Sequence, residues 1–166
     1  MLIKDKSKLV EEVKIVTFEP GFATAFKDLN VEWISTYFKL EASDYMVLDN
    51  PQSYIIDNGG YIFVALFQNE PVGVCAMIKL DENHDYDFEL AKMAVSPKVQ
   101  GKKIGQQLGL VILNKARAVG AKKIFLESNT ILTPALNLYK KLGFKQIWGY
   151  PSPYERANIQ MGLDLD

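Results

Sequence analysis

A change of phase in one predicted β-strand constrains the fold of this chain more than any other feature. The apolar side chains of Phe88 and Leu90 occupy even positions, whereas those of Met93 and Val95 occupy odd positions. Because strand side chains alternate between two faces, a change of parity requires one inserted residue. The pattern therefore predicts a β-bulge near residues 91–92. The alternative is a strand buried on both faces, in which parity carries no information.

Apolar periodicity and turn residues predict the other elements. Gln68-Asn-Glu-Pro71 joins two apolar runs as an antiparallel hairpin, and Thr133-Pro134 is typical of a helix start. We expect an α/β fold, a single domain over 1–166 with a mixed, largely antiparallel central sheet flanked by helices and a bulged fourth strand. Strands are predicted at 14–18, 61–67, 72–78, 87–95, 123–126, 144–149 and 158–165, and helices at 20–38, 51–58, 104–119 and 134–142.

Composition excludes several classes of protein. Apolar residues make up 48% of the 166 residues and charged residues 23%, as in soluble globular proteins. No apolar run approaches the roughly 18 residues of a membrane span, and no secretory signal is evident, so we expect a cytoplasmic protein without a membrane partner. One cysteine and one histidine cannot together build a zinc site, so no metal is predicted.

Positive charge is concentrated in one segment of a chain whose net charge is −1. Residues 91–126 contain seven lysines and one arginine but no Asp or Glu. Such a segment is typical of a site for an anion. The whole chain has only two arginines, Arg117 and Arg156, and nucleic-acid recognition depends heavily on arginine. We therefore predict a small phosphorylated ligand and no nucleic acid.

The start of the helix near residue 104 is the predicted anion site. Lys102 and Lys103 lie at its first turn, where a helix dipole disfavours cations unless an anion is bound. Gly101 and Gly105 allow the backbone to approach a ligand, and the free amides of a helix start can bind phosphate. The alternative is an ordinary glycine-containing turn with solvated lysines. Neither the P-loop nor the dinucleotide-binding glycine pattern is present.

At these residues the sequence resembles the GNAT family of acyl-CoA-dependent N-acyltransferases. Gln100 and Gly105 match the family's phosphate loop, whereas Lys103 stands where the family usually has glycine. Residues 135–144 are similar to its second signature, Ala-x-x-x-Tyr-x-x-x-Gly-Phe. The ordered resemblance runs from about Gly60 to Phe144. The segments 26–33 and 154–161 are similar to a bacterial branch of the family.

The resemblance implies an N-acetyltransferase in which an amine attacks the thioester of acetyl-CoA directly. It also implies that a backbone N–H freed by the bulge, that of Met93 or Val95, binds the developing oxyanion. A homodimer is compatible with it, because the final strands of such proteins often pair between two copies. The residues expected to bind acetyl-CoA are Met93, Ala94, Val95, Gln100, Gly101, Lys102, Lys103, Ile104, Gly105, Gln106 and Asn129.

Two side chains are the catalytic candidates. Glu89 lies on the bulged strand, on the face opposite Phe88 and Leu90, among apolar neighbours that raise a carboxyl pKa, and is predicted to be the general base. The alternative is a glutamate that pairs with Lys92 or only orients the substrate. Tyr139, by its place in the second signature, is predicted to protonate the departing thiolate. The alternative for this tyrosine is core packing.

The acceptor amine is predicted to bind beside the helix at 20–38 and the segment before the last strand. Because lysine supplies nearly all the positive charge, Arg156 is interpreted as a planar fork for a carboxylate of an amino-acid-like acceptor. The alternative is a structural pairing with an acid such as Glu32 or Glu155. A silent CoA-binding domain and a cofactor-free interaction module are the competing functions. The residues expected to contact the acceptor are Trp33, Tyr37, Tyr154 and Arg156.

Overall fold

A single seven-stranded sheet forms the centre of the protein in the computed structural model, which describes residues 12–99 and 101–166. The strands follow the order β1-β2-β3-β4-β5-β7-β6 across the sheet. They are β1 Val13–Thr17, β2 Tyr61–Phe67, β3 Glu70–Lys79, β4 Phe88–Val95, β5 Lys123–Ser128, β6 Lys145–Ile147 and β7 Ile159–Asp164.

Helices cover both faces of this sheet. They are α1 Ala23–Tyr37, α2 Ala42–Leu48, α3 Ile104–Ala118 and α4 Thr133–Lys141, with short 3₁₀ turns at Pro20–Phe22 and Pro97–Val99 and a π-helical turn at Gln52–Ile56. The core on one face contains apolar residues of α1 and α2, and the core on the other contains those of α3 and α4. The expected α/β fold with a mixed sheet flanked by helices is confirmed.

The strands β4 and β5 separate in the middle of the sheet. Among the strands of the described residues they are the one parallel pair of neighbours, and they pair only where Phe88 and Glu89 meet Ile124 and Phe125. Every other neighbouring pair is antiparallel. Beyond Glu89 the two strands continue without pairing, which opens a gap in the sheet at their carboxyl ends.

The predicted bulge is present in β4. Val74 lies opposite Ala94 and Ala76 opposite Ala91, so that Cys75 alone faces Lys92 and Met93. Lys92 has the left-handed backbone conformation, with φ of 54°. Phe88 and Leu90 belong to the core under α3, whereas Ala94 belongs to the core under α1. The bulge therefore exchanges the two faces of the strand, as the change of parity predicted.

Three local features of the structure differ from the predictions. The helix α2 was not predicted, and the helix expected at 51–58 is a π-helical turn at Gln52–Ile56. The β2–β3 hairpin turns on Gln68 and Asn69, both with positive φ, so β3 begins at Glu70 and includes Pro71. Two-residue hairpin loops with positive φ match the twist of the strands, which explains the tighter turn.

Candidate active site

A cavity of about 460 Å³ opens where β4 and β5 separate. Residues of α1, β3, β4, β5 and α4 line it, together with the loop between β6 and β7. Seven residues singled out from the sequence are among those that line it: Trp33, Glu89, Met93, Asn129, Tyr139, Tyr154 and Arg156.

Glu89 lines this cavity at the last position of β4 that pairs with β5. Burial and the neighbouring carboxylate of Glu127 raise the pKa of Glu89 to about 8, although Lys92 opposes the shift. The Glu89 side chain has no hydrogen-bond or ion-pair partner among the described residues. The interpretation of Glu89 as a partner of Lys92 is not supported, because the ammonium of Lys92 binds elsewhere.

Lys92 extends from the bulge to a buried carboxylate on α2. Its Nζ donates to Oδ1 of Asp44 at 2.8 Å and to the hydroxyl of Tyr154 at 3.0 Å. The side chain of Asp44 is 0% exposed and that of Lys92 is 6% exposed. Burial lowers the pKa of Lys92, although the bond to Asp44 opposes the shift.

Arg156 binds the same carboxylate with both arms of its guanidinium. Nη1 donates to Oδ2 and Nη2 to Oδ1 of Asp44, each at 2.6 Å, and Nη1 also contacts Glu41 at 3.3 Å. Burial alone would raise the pKa of Asp44, but the bonds from Arg156 and Lys92 lower it to about 2. The two-point contact expected of Arg156 is present, but its partner is internal and is neither Glu32 nor Glu155.

Tyr154 packs against both cations of this network. Nζ of Lys92 and Cζ of Arg156 each lie 4.6 Å from the centre of its ring. Burial, followed by the carboxylates of Asp44 and Glu89, raises the pKa of the Tyr154 hydroxyl, so this group stays protonated. Tyr154 also lines the cavity.

Tyr139 faces the cavity from α4, and its ring lies 6.2 Å from that of Phe144. Burial raises the pKa of Tyr139 above its ordinary value, which keeps the hydroxyl protonated and able to donate. No partner for this hydroxyl occurs among the described residues. Cys75 is fully buried with a raised pKa, and a buried thiol of this kind is not a nucleophile.

The N-terminus of α3 presents amides without protein partners. The N–H groups of Gly105 and Gln106 have no acceptor among the described residues, and the first helical bond begins at Gln107. Lys103 precedes the helix with φ of 58°, a conformation in which glycine is more common. Lys103 thus adopts the backbone shape that glycine usually provides there. Free amides at a helix start are a binding site for phosphate groups.

The remaining candidates have diverse surroundings. Tyr37 is 50% exposed, packs on Trp33 with ring centres 5.3 Å apart, and is not among the residues that line the cavity. The side chains of Ala94 and Ile104 are buried in the two cores, so only their backbones can meet a ligand. The amide of Asn129 donates to the carbonyl oxygen of Arg156 at 2.7 Å and thus fixes the loop beside the cavity.

Four more cofactor candidates complete the set. Val95 is partly buried against the core under α3, whereas Gly101 and Lys102 are exposed just before the helix. Nζ of Lys102 lies 4.8 Å from the centre of the Phe67 ring. Gln100 lies outside the described residues.

The comparisons with known proteins agree with this geometry. The Acetyltransferase (GNAT) family matches residues 26–144, well over half of the chain. The chain belongs to the GNAT family. The uncharacterized N-acetyltransferase YjgM of Escherichia coli K12 is 28% identical to it over 128 residues, which cover 77% of each chain. The prediction of an acyltransferase of this family is thereby confirmed.

Solved structures of the GNAT family share this fold. An acetyltransferase from Staphylococcus aureus Mu50 superposes with a TM-score of 0.83 at 20% identity, over 93% of this chain and all of that one. A Bacillus subtilis acetyltransferase in complex with CoA superposes with a TM-score of 0.68 at 21% identity, over 93% and 99% of the two chains. At these identities the likeness establishes the fold.

Two further features of this GNAT protein concern metals and membranes. No group of three or more His, Cys, Asp or Glu side chains in the described ranges is arranged to hold a metal ion. Among the helices of residues 12–99 and 101–166, none is both long enough and apolar enough to cross a bilayer.

Sequence reasoning missed two acids that shape the cavity. Asp44 forms a reciprocal cap with Glu41 at the start of α2, and an acid three positions after an N-cap acid is a recognisable sign of a helix start. Glu127 follows the apolar run of β5 and accepts hydrogen bonds from Gln160 at 2.9 Å and Ser152 at 3.1 Å. Neither acid has a sequence signal that would reveal its partners.

Proposed function

We propose that this GNAT protein transfers the acetyl group of acetyl-CoA to the amine of a small molecule or peptide. The observation that carries the proposal is the cavity between β4 and β5, which is lined by both Glu89 and Tyr139. A transfer by direct attack needs a base for the amine, a donor for the carbonyl oxygen and a proton for the thiolate. The chain offers a group for each of these tasks.

Glu89 is the proposed base. A carboxyl with a pKa of about 8 is partly ionised near neutral pH and is basic enough to accept a proton from an ammonium before attack or from the amine nitrogen during attack. The nitrogen lone pair attacks the thioester carbon while the proton of the nitrogen moves to Glu89, directly or through a water molecule. Because this carboxyl has no other partner among the described residues, it is free to accept the proton of the acceptor.

The bulge provides the proposed donor to the thioester carbonyl oxygen, and Tyr139 provides the proposed proton for the CoA thiolate. A backbone N–H near Met93 or Val95, where the bulge disturbs the pairing with β3, is the proposed donor to the carbonyl oxygen. The carbon–sulfur bond then breaks, its electron pair goes to sulfur, and the hydroxyl of Tyr139 donates its proton to the thiolate. The raised pKa of Tyr139 means that the hydroxyl still carries its proton when the thiolate forms.

The start of α3 is the proposed site for the pyrophosphate of the co-substrate. The unpaired amides of Gly105 and Gln106 and the exposed lysines at 102 and 103 supply hydrogen bonds and positive charge. The strands β4 and β5 separate beyond Glu89, and this gap is the proposed entry of the pantetheine arm.

Release of free CoA thiol tests the whole proposal. Purified protein with acetyl-CoA and a panel of amines and peptides should release thiol in an amine-dependent manner, with a matching acetylated product by mass spectrometry. Binding of CoA without any amine-dependent release would instead indicate a silent CoA-binding domain.

Binding of the co-substrate has a separate test. Acetyl-CoA at about 100 times its Kd should stabilise the fold by about 2.7 kcal/mol. For a protein of this size, that is a rise in Tm of roughly 5 to 10 °C. The double variant Lys102→Glu/Lys103→Glu should lose most of this rise. The control Lys122→Glu/Lys123→Glu, with adjacent lysines at the start of β5, should retain it. Equal shifts in both variants would contradict the site.

A further inference from the structure

The two cations in the wall of the cavity are already neutralised. Lys92 and Arg156 both bind the carboxylate of Asp44, and Arg156 also contacts Glu41. The Asp44 side chain is 0% exposed, so an incoming carboxylate would have to displace a buried partner held by two bonds of 2.6 Å. This cluster of two cations and two anions therefore offers little attraction to an anionic acceptor.

The charges that remain along the cavity are mainly negative. Glu89, Glu127 and Asp81 line it, and none of the three forms an ion pair among the described residues. The other lining cation is Lys79, an exposed side chain at the end of β3. The carboxyls of Glu127 and Asp81, joined by the partly ionised Glu89, outnumber the single solvated lysine and create a negative potential that attracts an ammonium group and repels a carboxylate.

The uncharged part of the lining is largely apolar and aromatic. Trp33 and Phe38 contribute rings from α1 and its end, and Tyr54 contributes one from the π-helical turn. Aromatic walls favour flat apolar groups and the positive charge of an ammonium. The aliphatic side chains on the same lining are Ile34, Val47, Ile78 and Leu80.

We infer that the acceptor of this enzyme is a small primary amine with an apolar or aromatic body and no carboxylate beside the amino group. The inference rests on the proposed acetyl transfer and deepens it. The amine enters as an ammonium among the acids, and its body lies against Trp33 and Phe38. Glu89 receives the proton that the ammonium loses before its nitrogen attacks, and the proton released on acylation replaces the one that Tyr139 gives to the thiolate. An α-amino acid brings a second, negative group into the same space.

A matched pair of compounds tests this acceptor class. Phenethylamine and phenylalanine share the ring and an amino group of similar basicity, and they differ in the carboxylate. We expect kcat/KM to be at least about tenfold higher for phenethylamine, because the carboxylate meets like charge in a partly desolvated site. Calorimetry with protein saturated with CoA should show the same preference in Kd.

A substitution of Glu127 tests whether the acids of the cavity cause the preference for phenethylamine over phenylalanine. Glu127→Gln keeps the acceptor oxygen for Gln160 and offers an amide to Ser152, but it removes one negative charge from the cavity. It should reduce the discrimination between the two compounds several-fold, whereas Glu70→Gln, an exposed change in the β2–β3 hairpin, should leave it unchanged.

The possible results separate this inference from the proposed function. Equal or tighter binding of phenylalanine overturns the acceptor class, and so does a failure of phenethylamine to bind. If phenylalanine binds more tightly than phenethylamine and this preference disappears in Lys79→Gln, the acceptor class is overturned and Lys79 binds the carboxylate. Binding of phenethylamine without any amine-dependent release of thiol contradicts acetyl transfer and leaves the acceptor preference of the cavity standing.

Discussion

Replacement of Asp44 by asparagine should destabilise the protein far more than most single changes. The asparagine amide keeps the shape of the carboxylate but removes the charge that faces Lys92 and Arg156. Two cations then remain in a largely buried cluster without their common partner. Removal of one member of a buried ion pair costs about 3 to 5 kcal/mol, because the remaining charge is uncompensated.

The expected change in melting temperature follows from the size of the chain. At 166 residues, each kcal/mol lowers Tm by roughly 2 to 4 °C. Asp44→Asn should therefore lower Tm by roughly 6 to 20 °C at neutral pH. The matched control is Asp49→Asn, at the end of the same helix. Asp49 pairs with Lys27 at 2.6 Å, but its side chain is 45% exposed. The loss of such a surface pair costs about 0 to 1 kcal/mol.

The pH dependence of the unfolding free energy provides a second test of the interaction of Asp44 with Lys92 and Arg156. The folded pKa of Asp44, about 2, lies below its ordinary value of 3.8. The contribution of this carboxylate is therefore complete above about pH 4 and is lost as pH falls through about 2. The difference in unfolding free energy between wild type and Asp44→Asn should narrow over that interval.

Differential scanning calorimetry and urea unfolding at several pH values measure these effects. A decrease in Tm for Asp44→Asn no larger than that for Asp49→Asn would refute the reasoning, because the buried network would then contribute no more than a surface pair. A large decrease that stayed constant from pH 5 to the acid limit would show that lost packing, not lost charge, destabilises the variant.

The other predictions concern the two proposed proton transfers and the guanidinium of Arg156. Glu89→Gln should lower kcat by about 10²- to 10⁴-fold and remove the rise in kcat/KM as pH increases through about 8, and an unchanged profile would exclude Glu89 as the base. Tyr139→Phe should lower kcat while the Kd for CoA stays within about twofold. A loss of CoA affinity as large as the loss of kcat would favour a packing role. Arg156→Lys should lower Tm, since lysine cannot bind Asp44 at two points, and a raised acceptor KM without a change in Tm would restore the carboxylate hypothesis.

The features that the sequence predicted well depend on short stretches of chain. The parity change between Leu90 and Met93 lies within one strand, and only an inserted residue reconciles it with alternation. The start of α3 was recognisable because glycines and lysines at 101–105 come directly before a helical apolar pattern that continues to Val119. Local rules decide such features, so no knowledge of distant contacts was needed.

The ionic network was beyond prediction because its members are far apart in the chain. Lys92 lies 48 residues from Asp44, and Arg156 lies 112 residues from it. The scarcity of arginine correctly indicated a two-point contact for Arg156, but spacing alone cannot identify the partner. The short helix α2, which carries Asp44, was missed for a related reason: a seven-residue helix depends on tertiary packing more than on its own propensity.

The bulge and the acceptor side of the cavity are connected through Lys92. A lysine with φ of 54° has a strained backbone, which costs about 1 to 3 kcal/mol. The ammonium of that lysine meets Asp44 and Tyr154, contacts that a glycine at the bulge would not make. The same residue thus shapes the strand beside the proposed oxyanion donor and fixes the loop that carries Arg156. A change in this network should therefore alter the acceptor KM before it alters the binding of CoA, since the start of α3 has no part in it.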